Sequence, residues 1–498
     1  MGDIIKFSEA VVDFLEKNVK TIFSYPGEQI LPLYNEIEGS SIKNIMVRDE
    51  RGAGFMADGY ARITNYIGVC LATAGPGATN LTTPIATAYK DNSSVLAITG
   101  RCAKKYIGKN YFQEISMDFL NFYKGYFVDN AELSYIAKAF INCLFNKKPV
   151  QLNIPVDLYN EEAKDINITT YTDIHRDDET TSNNTKEIDA KKPLFLIGQG
   201  IFGTLSYKEM LKISKILQEI SCPITTTFPA RGVVNEKAYN CIGLVGRRGD
   251  LKSLLDADKI INIGSSLSYN TYVESVREKL LSKTINIDLK PKSIKELKEF
   301  FENLNVKNNN WITKNNKLNN NKFQPSGDYS NKIYEVIKNI PEDAIIVTDA
   351  GKHTVFTCLL KTCVIPRNII SSHSFGTMGF GLPASIGVKF GTIDFNIDRE
   401  VVLISGDGGF LMNVEELQVV AENNLKILMV VMKNNNLAEF CKIKNPNFNK
   451  IADAFEIDNC YIEKAEDIGS EIKGYLKKDK PLLMVVETEN EQLPKPNI

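Results

Sequence analysis

Short apolar runs alternate with amphipathic stretches along most of the chain. GVCLATAGPG, SVLAITG, KPLFLIGQG, DKIINIGSS, TINIDL, AIIVTDAG, VVLISGDG and LKILMVVM are rich in β-branched and other apolar residues, and several run into Gly or Asp. Continuous runs of this kind predict strands buried on both faces, as in parallel sheets covered by helices. In such sheets ligands gather at strand carboxyl ends, so the loops that follow these runs are where chemistry is expected. Two polar stretches, 175–192 and 306–328, interrupt the pattern with Asn, Asp, Lys and Thr that cannot bury a core. The chain is therefore read as α/β, with three doubly wound parallel-sheet domains at 1–172, 191–304 and 329–498. Residues 173–190 and 305–328 are expected to be linkers.

Composition narrows the function classes. The 498 residues are 43% hydrophobic and 24% charged, which is ordinary for a globular protein. Lys+Arg at 59 against Asp+Glu at 61 leaves a net charge of -2, so nothing in the bulk charge calls for nucleic acid or an anionic membrane. The opening MGDIIKFSEAVVDFLEKNVK has no apolar signal-peptide core, and no apolar run approaches the ~18 residues of a membrane span. Lys6 stands where a myristoylation motif needs Ser or Thr. A cytoplasmic protein acting on small molecules is expected. The nine cysteines form no CxxC pair or zinc-type spacing, and three histidines (175, 353, 373) are little material for a histidine metal site.

The candidate chemistry is in the third segment. The run VVLIS (401–405) leads into Gly406-Asp407-Gly408-Gly409 and then a helical stretch. Glycines let backbone approach a diphosphate, and a helix start favours its charge. The next run, KILMVVM, ends at Lys433-Asn434-Asn435-Asn436, and Asn434 follows Asp407 by 434 − 407 = 27 residues. Adjacent parallel strands would bring a carboxylate and an amide oxygen to one hard cation, with diphosphate oxygens completing the shell. A Gly-Asp-Gly by itself marks a turn, so the pairing at this interval is what carries information.

Gly-Asp-Gly followed at this interval by a strand-end Asn resembles the signature of thiamine-diphosphate-dependent enzymes. The likeness extends over nearly the whole chain and is closest to the acetolactate synthase large catalytic subunit. It implies pyrimidine-binding, central and diphosphate-binding domains, thiamine diphosphate and Mg2+ as cofactors, and Asp407, Asn434 and the backbone carbonyl of Asn436 as metal ligands. FSYPGEQILPLYNEI (23–37), VRDERGAGFMADGYAR (47–62) and ATAGPGATNLTTPIATAYKDNSSVLAITG (72–100) resemble the pyrimidine-binding domain. Glu50 matches its catalytic glutamate, although alone it would read as a first-turn acid favoured by the helix dipole. A carboxylate against the aminopyrimidine nitrogen shares a proton, and so promotes deprotonation of the thiazolium carbon.

The same resemblance implies that Gly351, Lys352 and His353 meet the diphosphate, that Gly376, Gly406, Gly408 and Gly409 bind the cofactor, and that Met378 braces its bent form. Phe112-Gln113-Glu114 and Lys124 resemble a substrate-pocket segment, with Gln113 a candidate catalytic residue. The central segment resembles a domain that holds FAD in acetolactate synthases. There, however, Ser265-Ser266-Leu267-Ser268 replaces the usual Arg- and Asp-rich run, so FAD is not expected to bind.

Three readings fit these residues. The first is decarboxylation of a 2-keto acid with carboligation, as in branched-chain amino acid biosynthesis; the second is decarboxylation to an aldehyde; the third is cofactor binding without turnover. Simple pyruvate decarboxylases of similar sequence carry paired histidines in the first domain, and GRCAKKYIGKNY (100–111) has none. Against carboligation in its strict form, LAEFCKIKNPNFNK stands where an acceptor-binding Trp and Gln are expected. Glu50 argues against a mere binder. Carboligation is the favoured reading, with a homodimer or homotetramer as the assembly that the family implies.

Overall fold

The computed structural model describes residues 5–116, 124–168, 188–289, 291–304, 311, 323–437 and 440–496. Three parallel sheets build it, each with helices on its faces. The first holds β1 (Thr21–Ser24), β2 (Lys43–Met46), β3 (Gly68–Ala72), β4 (Val95–Arg101), β5 (Lys124–Phe127) and β6 (Val150–Pro155), in the order β2-β1-β3-β4-β6-β5. The second holds β7 (Pro193–Ile197), β8 (Ile224–Thr226), β9 (Cys241–Leu244), β10 (Lys259–Ile263) and β11 (Thr284–Ile287), ordered β11-β10-β7-β8-β9.

The third holds β12 (Ile345–Thr348), β13 (Ile369–Ser371), β14 (Val401–Gly406), β15 (Leu428–Lys433), β18 (Asp458–Ile462) and β19 (Leu482–Glu487), ordered β13-β12-β14-β15-β19-β18. A short antiparallel ribbon, β16 (Asn436–Leu437) with β17 (Cys441–Lys442), follows β15. The central strands β3, β4, β7, β14 and β15 are buried on both faces almost throughout, as their unbroken apolar runs require.

The polar stretches expected as linkers fall largely outside the described residues. At their edges Ile188, Ala190 and Trp311 are buried, and Trp311 Nε1 donates to the Pro193 carbonyl at 3.1 Å. An aromatic anchor inside an Asn-rich stretch is therefore packed on the central domain.

The first and third domains are joined by two helices, Glu50–Thr64 and Gly381–Asp394. Both are apolar and glycine-bearing along the shared face. A Cβ on Gly59 would lie 2.2 Å from the Ala384 carbonyl oxygen, and one on Gly387 would lie 1.8 Å from that of Met56. Only glycine allows the backbones this close. Arg62 adds a buried polar lock: its guanidinium donates to Asp58 at 2.7 and 2.8 Å, to Asp91 at 3.0 Å, and to the Ser371 carbonyl of the third domain at 2.7 Å. Asp91 also accepts from the Ser374 amide at 2.8 Å. The pairing compensates charges that burial would otherwise make costly.

No helix among the described residues is long and apolar enough to cross a membrane. All nine cysteines are free, and seven of them are buried.

Candidate functional site

Strands β14 and β15 pair in parallel with Gly406 beside Met432, so the residues that follow leave the sheet side by side. Asp407 opens the short helix Asp407–Leu411 and is buried. Its Oδ1 accepts from the Gly408 amide at 2.8 Å. Its Oδ2 accepts from the amides of Asn434 at 3.1 Å and Asn435 at 2.7 Å, and from Asn445 Nδ2 at 2.7 Å. Asn435 takes a left-handed φ of 55°, which turns the chain back into the ribbon. The Asn436 amide donates to Asn434 Oδ1 at 3.1 Å, and Asn436 Nδ2 donates to the Asn434 carbonyl at 2.9 Å. Of the three residues expected from sequence as metal ligands, Asn434 and Asn436 share this turn, and Asp407 on the neighbouring strand's helix start is bonded to it.

These donors suit a hard divalent cation. Among the described residues no three His, Cys, Asp or Glu side chains cluster to hold a metal, so a cation here would rest on one carboxylate with amide and carbonyl oxygens, as magnesium accepts. Asn445 was not singled out in the sequence. Its Oδ1 is buried with no hydrogen-bond partner among the described residues, while its Nδ2 also reaches Asn435 Oδ1 at 2.9 Å. Asn445 thus gives its amide nitrogen to both Asp407 and Asn435 and ties the ribbon to the Asp407 carboxylate.

Met378 lies over the same turn. A Cβ on Gly408 would sit 3.6 Å from Met378 Cε and only 2.3 Å from Leu437 Cδ2, so glycine here lets the ribbon close on the helix start. The loop bearing Met378 is held from below by Asp349, a residue at the end of β12 that sequence reasoning passed over. Its buried carboxylate accepts from the amides of Ala350 at 2.6 Å, Gly379 at 3.1 Å and Gly381 at 2.9 Å. Burial pushes the Asp349 carboxyl up to about 6, and the three amides oppose that rise.

His353 Nε2 lies 2.8 Å from the Asp349 carbonyl, and the ring fills the space between Gly351 and Gly406. Burial brings His353 down to about 4, so it is a neutral imidazole near pH 7. Lys352 extends along the surface, donating to Asn490 Oδ1 at 2.6 Å and the Glu491 carbonyl at 2.7 Å. Gly376, at φ 70°, has nothing within 4 Å of where a Cβ would stand and leaves an open face beside Met378.

The first domain supplies a second group of residues. Glu50 is the first residue of the helix Glu50–Thr64, half-buried behind the N-cap Asp49, whose side chain accepts from the Arg51 amide at 2.8 Å. Glu50 Oε2 accepts from Asn80 Nδ2 at 2.8 Å. A Cβ on Gly77 would lie 3.2 Å from Glu50 Oε1, so the loop after β3 passes directly against the carboxylate. Gln113, at a left-handed φ of 60°, packs on the same loop: a Cβ on Gly75 would be 2.8 Å from Gln113 Cβ. Glu50, Asn80 and Gln113 thus surround one loop, whereas Met378, Asp407 and Asn434 surround another.

A third feature lies between the domains. A cavity of about 1300 Å³ is lined by the loops after β7, β8 and β10, including Ser265, Ser266 and Ser268, and by Lys147 and Arg367 from the flanking domains. Burial and the neighbouring Arg367 pull Lys147 down to about 7.

Three consecutive parts of the chain match models of one family. Residues 5–122 match the N-terminal binding domain of thiamine pyrophosphate enzymes, 188–303 their central domain, and 349–486 their C-terminal binding domain. An uncharacterized protein of Methanocaldococcus jannaschii is 90% identical over all 498 residues of both chains. The probable acetolactate synthase large subunit of Methanococcus aeolicus is 29% identical, covering 96% of this chain and 91% of its own. The acetolactate synthase large subunit of Porphyra purpurea is also 29% identical, over 94% and 90%.

Proposed function

The chain belongs to the thiamine pyrophosphate enzyme family, and from that membership we propose that it is a magnesium-dependent enzyme that decarboxylates a 2-keto acid and joins the product to a second keto acid, in the manner of acetolactate synthase. The observation that carries this reading is the meeting of Asp407 with Asn434 and Asn435 at the ends of two neighbouring strands, joined by Asn445 from beyond the ribbon. Asp407, Asn434 and the Asn436 carbonyl would hold the cation. When bound, thiamine diphosphate supplies a thiazolium carbon acid able to add to a keto carbonyl.

This chain's own residues have distinct tasks. Glu50, held by Asn80, moves a proton at the pyrimidine side of the site. The Asp349-anchored loop fixes Met378 above Gly408, so the brace does not have to be ordered on binding. Gln113 orients substrate from its seat on Gly75. Glu50 and Asp407 belong to different domains and different loops, so we propose a homodimer or a homotetramer in which one copy's Glu50 faces another's Asp407.

Carboligation is favoured over release of an aldehyde by the 29% identical acetolactate synthase large subunits and by the lack of histidine in 100–111. Carbon dioxide release from a panel of 2-keto acids, with product identification, tests this. A 2-hydroxy-2-alkyl-3-keto acid product is expected. Aldehyde as the sole product would replace the reading with simple decarboxylation, and no release from any substrate would remove both.

A further inference from the structure

Glu416 is fully buried and stands 416 − 407 = 9 residues after Asp407, at the end of the turn Val414–Glu416. Its carboxyl group crosses from the third domain to the first. Oε1 accepts from the Arg48 amide at 3.2 Å and the Asp49 amide at 3.1 Å, and Oε2 accepts from the Arg48 amide at 3.2 Å. These two amides immediately precede Glu50. On the other side of Glu50, a Cβ on Gly52 would lie 2.0 Å from Glu416 Oε1, so glycine is required for the carboxyl group to enter. Residues 48, 49 and 52 therefore all close around one buried acid, with Glu50 between them.

Among the described residues no cation forms a salt bridge with Glu416, and Arg51 feels it only through space. The Arg48 guanidinium is turned away to Glu422 and to the Met46 and Val47 carbonyls, and Arg51 is bonded to Asp49. Glu415 and Asp49 are acidic neighbours. A buried acid facing two backbone amides and two other acids is a costly choice for mere packing, since an apolar side chain would avoid the desolvation. What it supplies is two directed acceptors that fix where the helix begins.

We propose that Glu416 is a positioning residue that sets the place of Glu50, so that the segment bearing Asp407 also holds the turn that presents the proton-transfer group. The inference rests on the role of Glu50 given above. A displacement of the order of 1 Å at such a group costs up to about 10²-fold in rate, so the grip need move only slightly to matter. Because Glu416 acts through Glu50, its effect vanishes when Glu50 can no longer transfer a proton.

Two measurements test this on the full chain. Hydrogen exchange of the cofactor-free protein, read by mass spectrometry on peptides spanning 45–52, should show faster exchange in Glu416→Gln and Glu416→Ala than in wild type. Exchange of the thiazolium proton in protein loaded with magnesium and thiamine diphosphate, read by NMR, should slow by up to about 10²-fold in Glu416→Ala. It should slow less in Glu416→Gln, which keeps an acceptor oxygen. The double variant Glu50→Gln/Glu416→Gln should exchange no more slowly than Glu50→Gln alone, because the two act as one unit.

If the Glu416 variants exchange the thiazolium proton as fast as wild type while Glu50→Gln is slow, the positioning role is wrong and the role of Glu50 stands. A double variant slowed by the product of the single effects would also overturn it, since the two residues would then act independently. If Glu50→Gln itself matches wild type, the role of Glu50 fails and the inference falls with it.

Discussion

Replacing Asp407 by alanine removes the acceptor for four donors: the amides of Gly408, Asn434 and Asn435, and Asn445 Nδ2. A hydrogen bond to a charged group contributes about 1.5–3 kcal/mol, and a buried donor left alone costs a comparable amount. Three of the four converge on Oδ2, so their contributions do not add in full. A loss of roughly 3–6 kcal/mol is expected before any ligand is present. Asp407→Asn keeps one acceptor oxygen and should lose about half as much.

Cofactor binding adds a separate effect. A ligand at a hundred times its dissociation constant stabilises by about 2.7 kcal/mol, which in a domain of this size raises the melting temperature by roughly 5–10 °C. Calorimetry of wild type, Asp407→Ala and Asp407→Asn, each with and without magnesium and thiamine diphosphate, separates the two. Wild type should show the cofactor-dependent rise, and both variants should lose it as well as melting earlier without ligand. If Asp407→Ala keeps the full cofactor-dependent rise, Asp407 does not hold the cation. An unchanged melting temperature without ligand would show that the hydrogen-bond reasoning is wrong.

Glu50→Gln should bind cofactor nearly as wild type while turnover falls by about 10²- to 10⁴-fold; calorimetric titration beside steady-state kinetics checks this, and a loss confined to binding would refute it. Sedimentation at catalytic dilution should find at least a homodimer, and a fully active monomer would contradict the proposed sharing of sites. The purified protein should lack stoichiometric FAD because Ser265, Ser266 and Ser268 line the interdomain cavity; a flavin absorbance band matching the protein concentration would show otherwise. Burial pushes Glu416 up to about 8 from an ordinary value of 4.5, so the folded protein keeps a proton that the unfolded chain has released. Stability from this group is therefore greatest below pH ~4.5 and declines as pH rises toward ~8. Glu416→Gln should flatten that slope in urea titrations run across the window, and an unchanged slope would remove the assignment.

The sequence by itself determined the three parallel sheets, because strands buried on both faces are unbroken apolar runs wherever they occur. It also determined the meeting of Asp407 with Asn434, since two strand ends one crossover apart carry their spacing openly. Glu50 stands out as a candidate only beside that motif and the family likeness, because a first-turn acid has a bland explanation at every helix start.

Tertiary structure alone decided the rest. Asn80 reaches Glu50 across 30 residues, Asn445 returns to Asp407 through a ribbon whose antiparallel pairing spans only two residues of each strand, and Glu416 meets Arg48 across 368 residues. Asp349 stood in plain view at the end of β12, yet its work is done on the amides of Gly379 and Gly381. Backbone amides are the same at every residue but proline, so a side chain that binds them leaves no complementary residue to look for. Such partners become visible only when the fold brings distant chain into contact.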